Sequence, residues 1–146
     1  LRTVIALFRD YADSLDVDLS FQGFEAELSA MPGTYAPPSG EILLARDPAG
    51  AARGCVGLRP LPVPGICEMK RLYVSPAGRG KGVGQALIEA IIGVAGRIGY
   101  REMRLDTLPS MTAALGLYRK AGFLEIPAYD ETPVKGTVFL ARRLGG

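Results

Sequence analysis

The stretch from Ile66 to Thr107 constrains the fold of this chain more than any other. Ile66–Val74 (ICEMKRLYV) reads as a strand ended by Ser75-Pro76, and a glycine-rich loop, Gly78–Gly84, follows it. Val83, Leu87, Ile88, Ile91, Ile92, Ala95 and Ile98 then trace one apolar stripe at helical spacing, and Gly99 stands where a helix takes its C-cap. Glu102–Thr107 (EMRLDT) alternates polar and apolar residues, the pattern of a half-buried strand. Two strands joined through a helix in this way become parallel neighbours, with a crossover that is right-handed by strong precedent.

The remaining segments add antiparallel strands and flanking helices. Glu41–Arg46 (EILLAR) and Gly54–Arg59 (GCVGLR) read as strands separated by a turn, and the proline-rich segment Pro60–Gly65 breaks the second before Ile66. Hairpins are expected between these three strands. Thr3–Ser14 carries Val4, Leu7, Phe8 and Tyr11 at helical spacing, continued by Leu15, and Phe21–Ala30 reads as a second helix with Ser20 as its N-cap. Met31–Gly40 is a loop. A helix over Ser110–Ala121 stops at Gly122, and Phe123–Ile126 and Thr137–Arg142 are two closing strands. The expected class is α/β (α+β): a mixed sheet with helices on both faces. With 146 residues the chain fits a single domain, residues 1–146.

Composition narrows the chemistry. There is no histidine, so Ser-His-Asp and Cys-His catalysis and His-containing zinc sites are excluded. Two cysteines cannot make a four-thiolate site or a secreted disulfide framework, so no metal is expected. The longest apolar run in the middle of the chain, Ala90–Gly96, is far short of the ~20 residues a membrane span needs, and no signal-peptide pattern follows Leu1-Arg2. A cytoplasmic protein with a shortened N-terminus is expected. The net charge of +2 hides a split: residues 1–50 hold three basic and eight acidic side chains, and residues 51–146 hold fourteen and seven. That split suggests one surface for cations and one for anions, or simply uneven solvated faces.

The loop Arg79-Gly80-Lys81-Gly82-Val83-Gly84 carries the strongest functional signal. Glycines let a ligand approach the backbone, free N–H groups at a helix start attract phosphate, and Arg79 and Lys81 add charge. The P-loop pattern fails, because Gly82 follows Gly80-Lys81 and the earlier glycine position is Ser75. The dinucleotide pattern fails from Gly78, Gly80 and Gly82 alike. What remains is R-x-x-G-x-G after a strand that reads L-Y-V-x-P.

In that combination the chain resembles the GNAT superfamily of acetyl-CoA-dependent N-acetyltransferases. Three blocks carry the resemblance: Cys67–Gln85 (CEMKRLYVSPAGRGKGVGQ), Met103–Thr107, and Ala114–Phe123 (ALGLYRKAGF) with its L-Y-x-x-x-G-F. It covers roughly residues 40–144. It implies the acyl-CoA N-acyltransferase fold, a mostly antiparallel sheet whose central parallel pair is splayed by a bulge, here without the family's first strand. It also implies that backbone groups of Leu72, Tyr73 and Val74 bond the pantetheine arm of acetyl-CoA. Amides of Arg79, Gly80, Lys81, Gly82, Val83 and Gly84 would hold its pyrophosphate. Tyr118 matches the tyrosine that protonates the leaving thiolate, and Glu68 matches the general base of the histone-acetylating branch. Where many members carry an asparagine near the start of the last helix, this chain has Ser110-Met111-Thr112.

The expected reaction is acetyl transfer from acetyl-CoA to a primary amine by direct attack. An alkyl ammonium must lose a proton before it attacks a thioester, and without histidine a carboxylate is the natural acceptor. Glu68 is the only acid between Ile66 and Val74, although an ion pair with a nearby arginine or lysine would equally account for it. Tyr118 reads as a proton donor or as a core aromatic. Alternation along the strand turns Cys67 away from Glu68, which disfavours an acetyl-cysteine route. Asp10, Asp13, Asp16, Asp18, Glu25, Glu27, Asp130 and Glu131 suggest a cationic acceptor, a small molecule or a peptide end. A non-catalytic acetyl-CoA-binding module is the alternative function. Nucleic acid and membrane are not expected as partners, and a homodimer is left open.

Overall fold

A computed structural model of the chain describes residues 2–15, 24–130, 132 and 134–144. Its elements run α1 (Arg2–Ser14), α2 (Phe24–Ser29), β1 (Glu41–Arg46), β2 (Ala52–Pro60), β3 (Ile66–Val74), α3 (Val83–Ile98), β4 (Glu102–Thr107), α4 (Thr112–Lys120), β5 (Leu124–Ile126) and β6 (Val138–Arg143). Three of these, β1, β3 and β4, match the sequence reading residue for residue. The last helix starts two residues later than expected, because Ser110 and Met111 belong to a turn in which the Met111 N–H donates to the Leu108 carbonyl. The expected cap Ser20 and the start of its helix at Phe21 lie outside the described residues.

The six strands form one sheet in the order β1-β2-β3-β4-β6-β5. Every neighbouring pair is antiparallel except β3–β4. The chain thus has the mixed sheet, the central parallel pair and the hairpins that the pattern implied. Among the described residues no strand precedes α1.

The sheet has a core on each face. Val56, Leu58, Cys67, Met69, Met103 and Leu105 point toward α3, where Leu87, Ile88, Ile91 and Ala95 are buried against them. Cys55 and its neighbours face the other way, toward Val4, Leu7 and Phe8 of α1 and Phe24 and Leu28 of α2. Alternation along β2 and β3 therefore assigns successive residues to opposite helices, as period-2 geometry requires.

One irregularity in β3 positions the site. Cys55 pairs with Tyr73 but Gly57 with Lys70, so β3 carries one residue more than β2 over this interval. That residue is at Arg71, whose φ is +59°, a left-handed conformation costing a non-glycine residue roughly 1–2 kcal/mol. The parallel ladder to β4 extends only over Ile66–Glu68, opposite Glu102–Arg104. Beyond Glu68 the two strands separate.

Candidate active site

The separation of β3 from β4 opens a cleft. It is lined by Tyr11 of α1, by Met69, Lys70, Arg71 and Leu72 of β3, by Asp106 and Thr107 of β4, and by Met111 and Tyr118. Because of the bulge, Lys70 and Arg71 both turn toward the α1–α2 side while Met69 stays in the α3 core. Lys70 is buried and faces Asp106, its ammonium 3.8 Å from the carboxylate. Burial pulls the Lys70 pKa down, and the Asp106 charge works against that fall.

Arg71 is anchored on α2. Its Nε and one terminal nitrogen each donate to an oxygen of Glu27 at 3.1 Å, a bidentate pair with the guanidinium only 2% exposed. The rings of Phe24 and Tyr11 lie 5.1 and 5.9 Å from it. The acidic first part of the chain and the basic remainder thus meet here as a buried ion pair.

Glu68 is the last β3 residue paired with β4, just before the strands separate into the cleft, and is 2% exposed. Arg59, opposite it on β2, donates to Oε1 from Nε at 2.9 Å, with a terminal nitrogen 2.8 Å from the same oxygen. Tyr129 donates its hydroxyl to Oε2 at 2.6 Å. The arginine partner that the sequence left open is therefore present. Arg59 thus approaches Oε1 twice, while Oε2 keeps a second acceptor direction beside Tyr129. Burial, then the Glu68 charge, pushes the Tyr129 pKa up, so its phenol keeps its proton.

Tyr118 of α4 is buried with its ring edge against Phe123, the phenylalanine of L-Y-x-x-x-G-F, centroids 5.9 Å apart. It belongs to the core and also lines the cleft. Burial raises its pKa.

At the open end, β3 leads through the 3-10 turn Pro76–Gly78 into the glycine loop. Gly80 and Gly82 both have φ of +76°, and a Cβ at either position would meet nothing within 4 Å. These glycines are required by conformation, and the space beside them is open. Gly82 caps α3 without a side-chain hydrogen bond, and the first intrahelical bond to it comes from the Ala86 N–H, which leaves the earlier amides facing outward. Arg79 and Lys81 are exposed beside them, Arg79 donating to the Val74 carbonyl at 3.3 Å.

The cysteines are removed from this cleft. Both are buried and free, and desolvation pushes each thiol up to about 12. Cys67 sits in the α3 core, away from Glu68. Among the described residues no three His, Cys, Asp or Glu side chains come together as a metal site, and no helix is long and apolar enough to cross a membrane.

The acids expected to receive a cation are mostly elsewhere. Asp10, Asp13 and Asp130 are exposed, Glu25 pairs with Arg9 on the surface at 3.0 Å, and Glu27 is taken by Arg71. Asp16, Asp18 and Glu131 lie outside the described residues. Sequence reasoning missed Arg59, Lys70, Arg71, Arg104, Asp106 and Tyr129. The first five occupy alternating or bulged strand positions that carry no motif. Tyr129 sits in the proline-containing loop, 61 residues from the carboxylate it binds.

Comparison with known proteins gives a consistent result. The profile of the Acetyltransferase (GNAT) family matches residues 5–123. An uncharacterised N-acetyltransferase of Schizosaccharomyces pombe is 40% identical over 134 residues, 92% of this chain and 82% of that protein. The solved GNAT-family acetyltransferase of Staphylococcus aureus superposes with a TM-score of 0.82 over 99% of this chain and 96% of its own, at 20% identity. A GNAT acetyltransferase of Elizabethkingia anophelis with acetyl-CoA bound matches at 26% identity with a TM-score of 0.61, covering 73% of this chain and 77% of that one.

Proposed function

The chain belongs to the GNAT acetyltransferase family, whose members transfer acetyl from acetyl-CoA, and on that premise we propose that it acetylates a primary amine by direct attack within the β3–β4 cleft. The observation that carries this reading is continuity. The gap that opens beyond Glu68 runs along the unpaired side of Leu72–Val74 and ends on the uncapped start of α3. An extended pantetheine arm suits the first part and a pyrophosphate the second. Leu72, Tyr73 and Val74 would bond the arm, and amides from Arg79 to Gly84 the pyrophosphate.

The chain's own residues then divide the work. A backbone N–H of Leu72–Val74 stabilises the charge that develops on the thioester oxygen. Glu68, reached through a water because Arg59 and Tyr129 occupy its near positions, takes the proton of the incoming ammonium. Tyr118 donates toward the departing sulfur. Burial keeps its phenol protonated, and the same burial makes a thiolate a stronger base, as the lifted pKa of both buried cysteines illustrates. Tyr118→Phe is expected to lower kcat by about 10- to 100-fold with acetyl-CoA affinity kept. An unchanged kcat would return Tyr118 to the core alone.

Gly82→Ala tests the loop. An alanine at φ +76° is strained by roughly 1–2 kcal/mol, and its Cβ enters the open space assigned to the pyrophosphate. Acetyl-CoA affinity, read by calorimetry, should fall by about tenfold or more. Equal affinity would place the pyrophosphate elsewhere. The whole reading is tested by release of free coenzyme A thiol from acetyl-CoA across a panel of amines. Binding without thiol release from any of them would leave a coenzyme-binding module in place of an enzyme.

A further inference from the structure

Three charged residues lie in one row across the sheet, on the face opposite α3. Arg59 of β2 stands opposite Glu68 of β3, and Glu68 opposite Arg104 of β4. All three share a face, because Arg59 and Tyr129 both bind Glu68, and the Arg104 guanidinium stacks 5.6 Å from the Tyr129 ring. The two arginines are thus two strand spacings apart, roughly 10 Å at their backbones, with Tyr129 between their heads. Each is about a quarter exposed, in contrast to the nearly closed Glu68 and Arg71.

Their donors are only partly used. Arg104 gives its Nε to Glu102 at the start of β4, and no described residue takes its two terminal nitrogens. Arg59 gives its Nε to Glu68 with one terminal nitrogen ion-paired to the same oxygen, and its other terminal nitrogen forms a loose ion pair with Glu27 at 4.0 Å, so N–H donors remain on both terminal nitrogens. Forked guanidinium nitrogens beside a tyrosine are the geometry that binds a planar anion. Glu68 and Glu102 already offset much of the positive charge, so a singly charged carboxylate fits the row better than a dianionic phosphate.

We infer that the acceptor is a short amino acid, its carboxylate held between Arg59 and Arg104 and its amine directed into the cleft between Glu68, one water away, and the Lys70–Asp106 pair; this rests on the acetyltransferase reading above. The spacing sets the length. Lys70 and Asp106 lie two residues further along β3 and β4 than Glu68 and Arg104, about 7 Å. A charge-assisted hydrogen bond of ~2.8 Å takes up part of that distance, and the few bonds between the carboxylate and the amine of an α- or β-amino acid take up the rest. A long polyamine has no group for the two arginines and would bring further positive charge to them. Equal numbers of cations (Arg59, Lys70, Arg71, Arg104) and anions (Glu27, Glu68, Glu102, Asp106) surround the path, which suits a zwitterion.

Matched acceptors test this on the unaltered protein. Thiol release from acetyl-CoA is measured with the α-amino acids, β-alanine, the carboxamide and the decarboxylated amine of each acid that reacts, an aminoalkylphosphonate and spermidine. The free acid should exceed its carboxamide and its decarboxylated amine by about 10- to 100-fold in kcat/KM, the value of one or two charge-assisted bonds. Arg104→Gln, at a partly exposed position whose folding is checked by thermal melting, should bring that ratio toward one, chiefly through KM for the acid, with Arg104→Lys retaining part of it. Faster reaction of the amides, the decarboxylated amines or spermidine overturns the carboxylate site while leaving the acetyltransferase reading intact. Preference for the phosphonate overturns the choice of anion. Thiol release from none of these acceptors, with acetyl-CoA bound, overturns the amino-acid proposal and removes support from the catalytic reading as well.

Discussion

Replacing Glu68 by Gln is expected to lower kcat for amine acetylation by about 10²–10³-fold with the acetyl-CoA dissociation constant unchanged. The substitution keeps the shape of the side chain and an oxygen for Arg59, so β3 and its bulge should survive. What it removes is the only carboxylate of β3, at the point where β3 and β4 separate. A base and a mere holder of Arg59 make different signatures. If Glu68 takes the proton, the loss falls on kcat and KM for the amine is kept. If it only positions Arg59, the loss moves to KM for the amine. A kcat within about threefold of the parent protein would assign the proton to another group in the cleft, with Asp106 beside Lys70 the next to examine.

Local pattern carried most of the fold, and long-range pairing carried most of what it missed. Strands β1, β3 and β4 could be placed to the residue because each turns alternate side chains into the α3 core and the rest to the opposite face, and α3 because its stripe ends on Gly99 at φ +109°. The loop could be read because Gly80 and Gly82 mark positive φ in a one-dimensional sequence. Arg71 could not. Its φ is also positive, yet it is not a glycine, and what stabilises it is Glu27, 44 residues away. The resemblance supplied a bulge in this region, but not that it would turn Lys70 and Arg71 to the same side. The acidic surplus of residues 1–50 was legible as a number. Its use was not, since among the described residues of that segment Glu27 pairs with Arg71 beside the cleft and Asp10 and Asp13 face solvent.

That pair also gives the largest expected effect on stability. Glu27→Ala takes its bidentate carboxylate from Arg71, whose side chain is 2% exposed in the intact protein, a change that costs about 3–5 kcal/mol for a buried pair. Urea unfolding should show a lower midpoint at an unchanged slope, because the surface exposed on unfolding is nearly the same. Two further contributions act in the same direction. The bidentate pair ties the short α2, six residues long, to the sheet, and it holds Arg71 in its left-handed conformation against roughly 1–2 kcal/mol of strain. Combining Glu27→Gln with Arg71→Met removes both charges while keeping their bulk, and this double variant should be more stable than Glu27→Ala alone. A loss under 1 kcal/mol in Glu27→Ala would mean that the Phe24 and Tyr11 rings and the remaining contacts of Arg71 suffice to hold it. If the pair matters as argued, the variant should also lose acetyl transfer at temperatures where it is still folded. The bulge that separates β3 from β4 is built on the residue that Glu27 fixes, and relaxing Arg71 toward ordinary strand geometry would turn Lys70 or Arg71 out of the cleft and close the gap along Leu72–Val74.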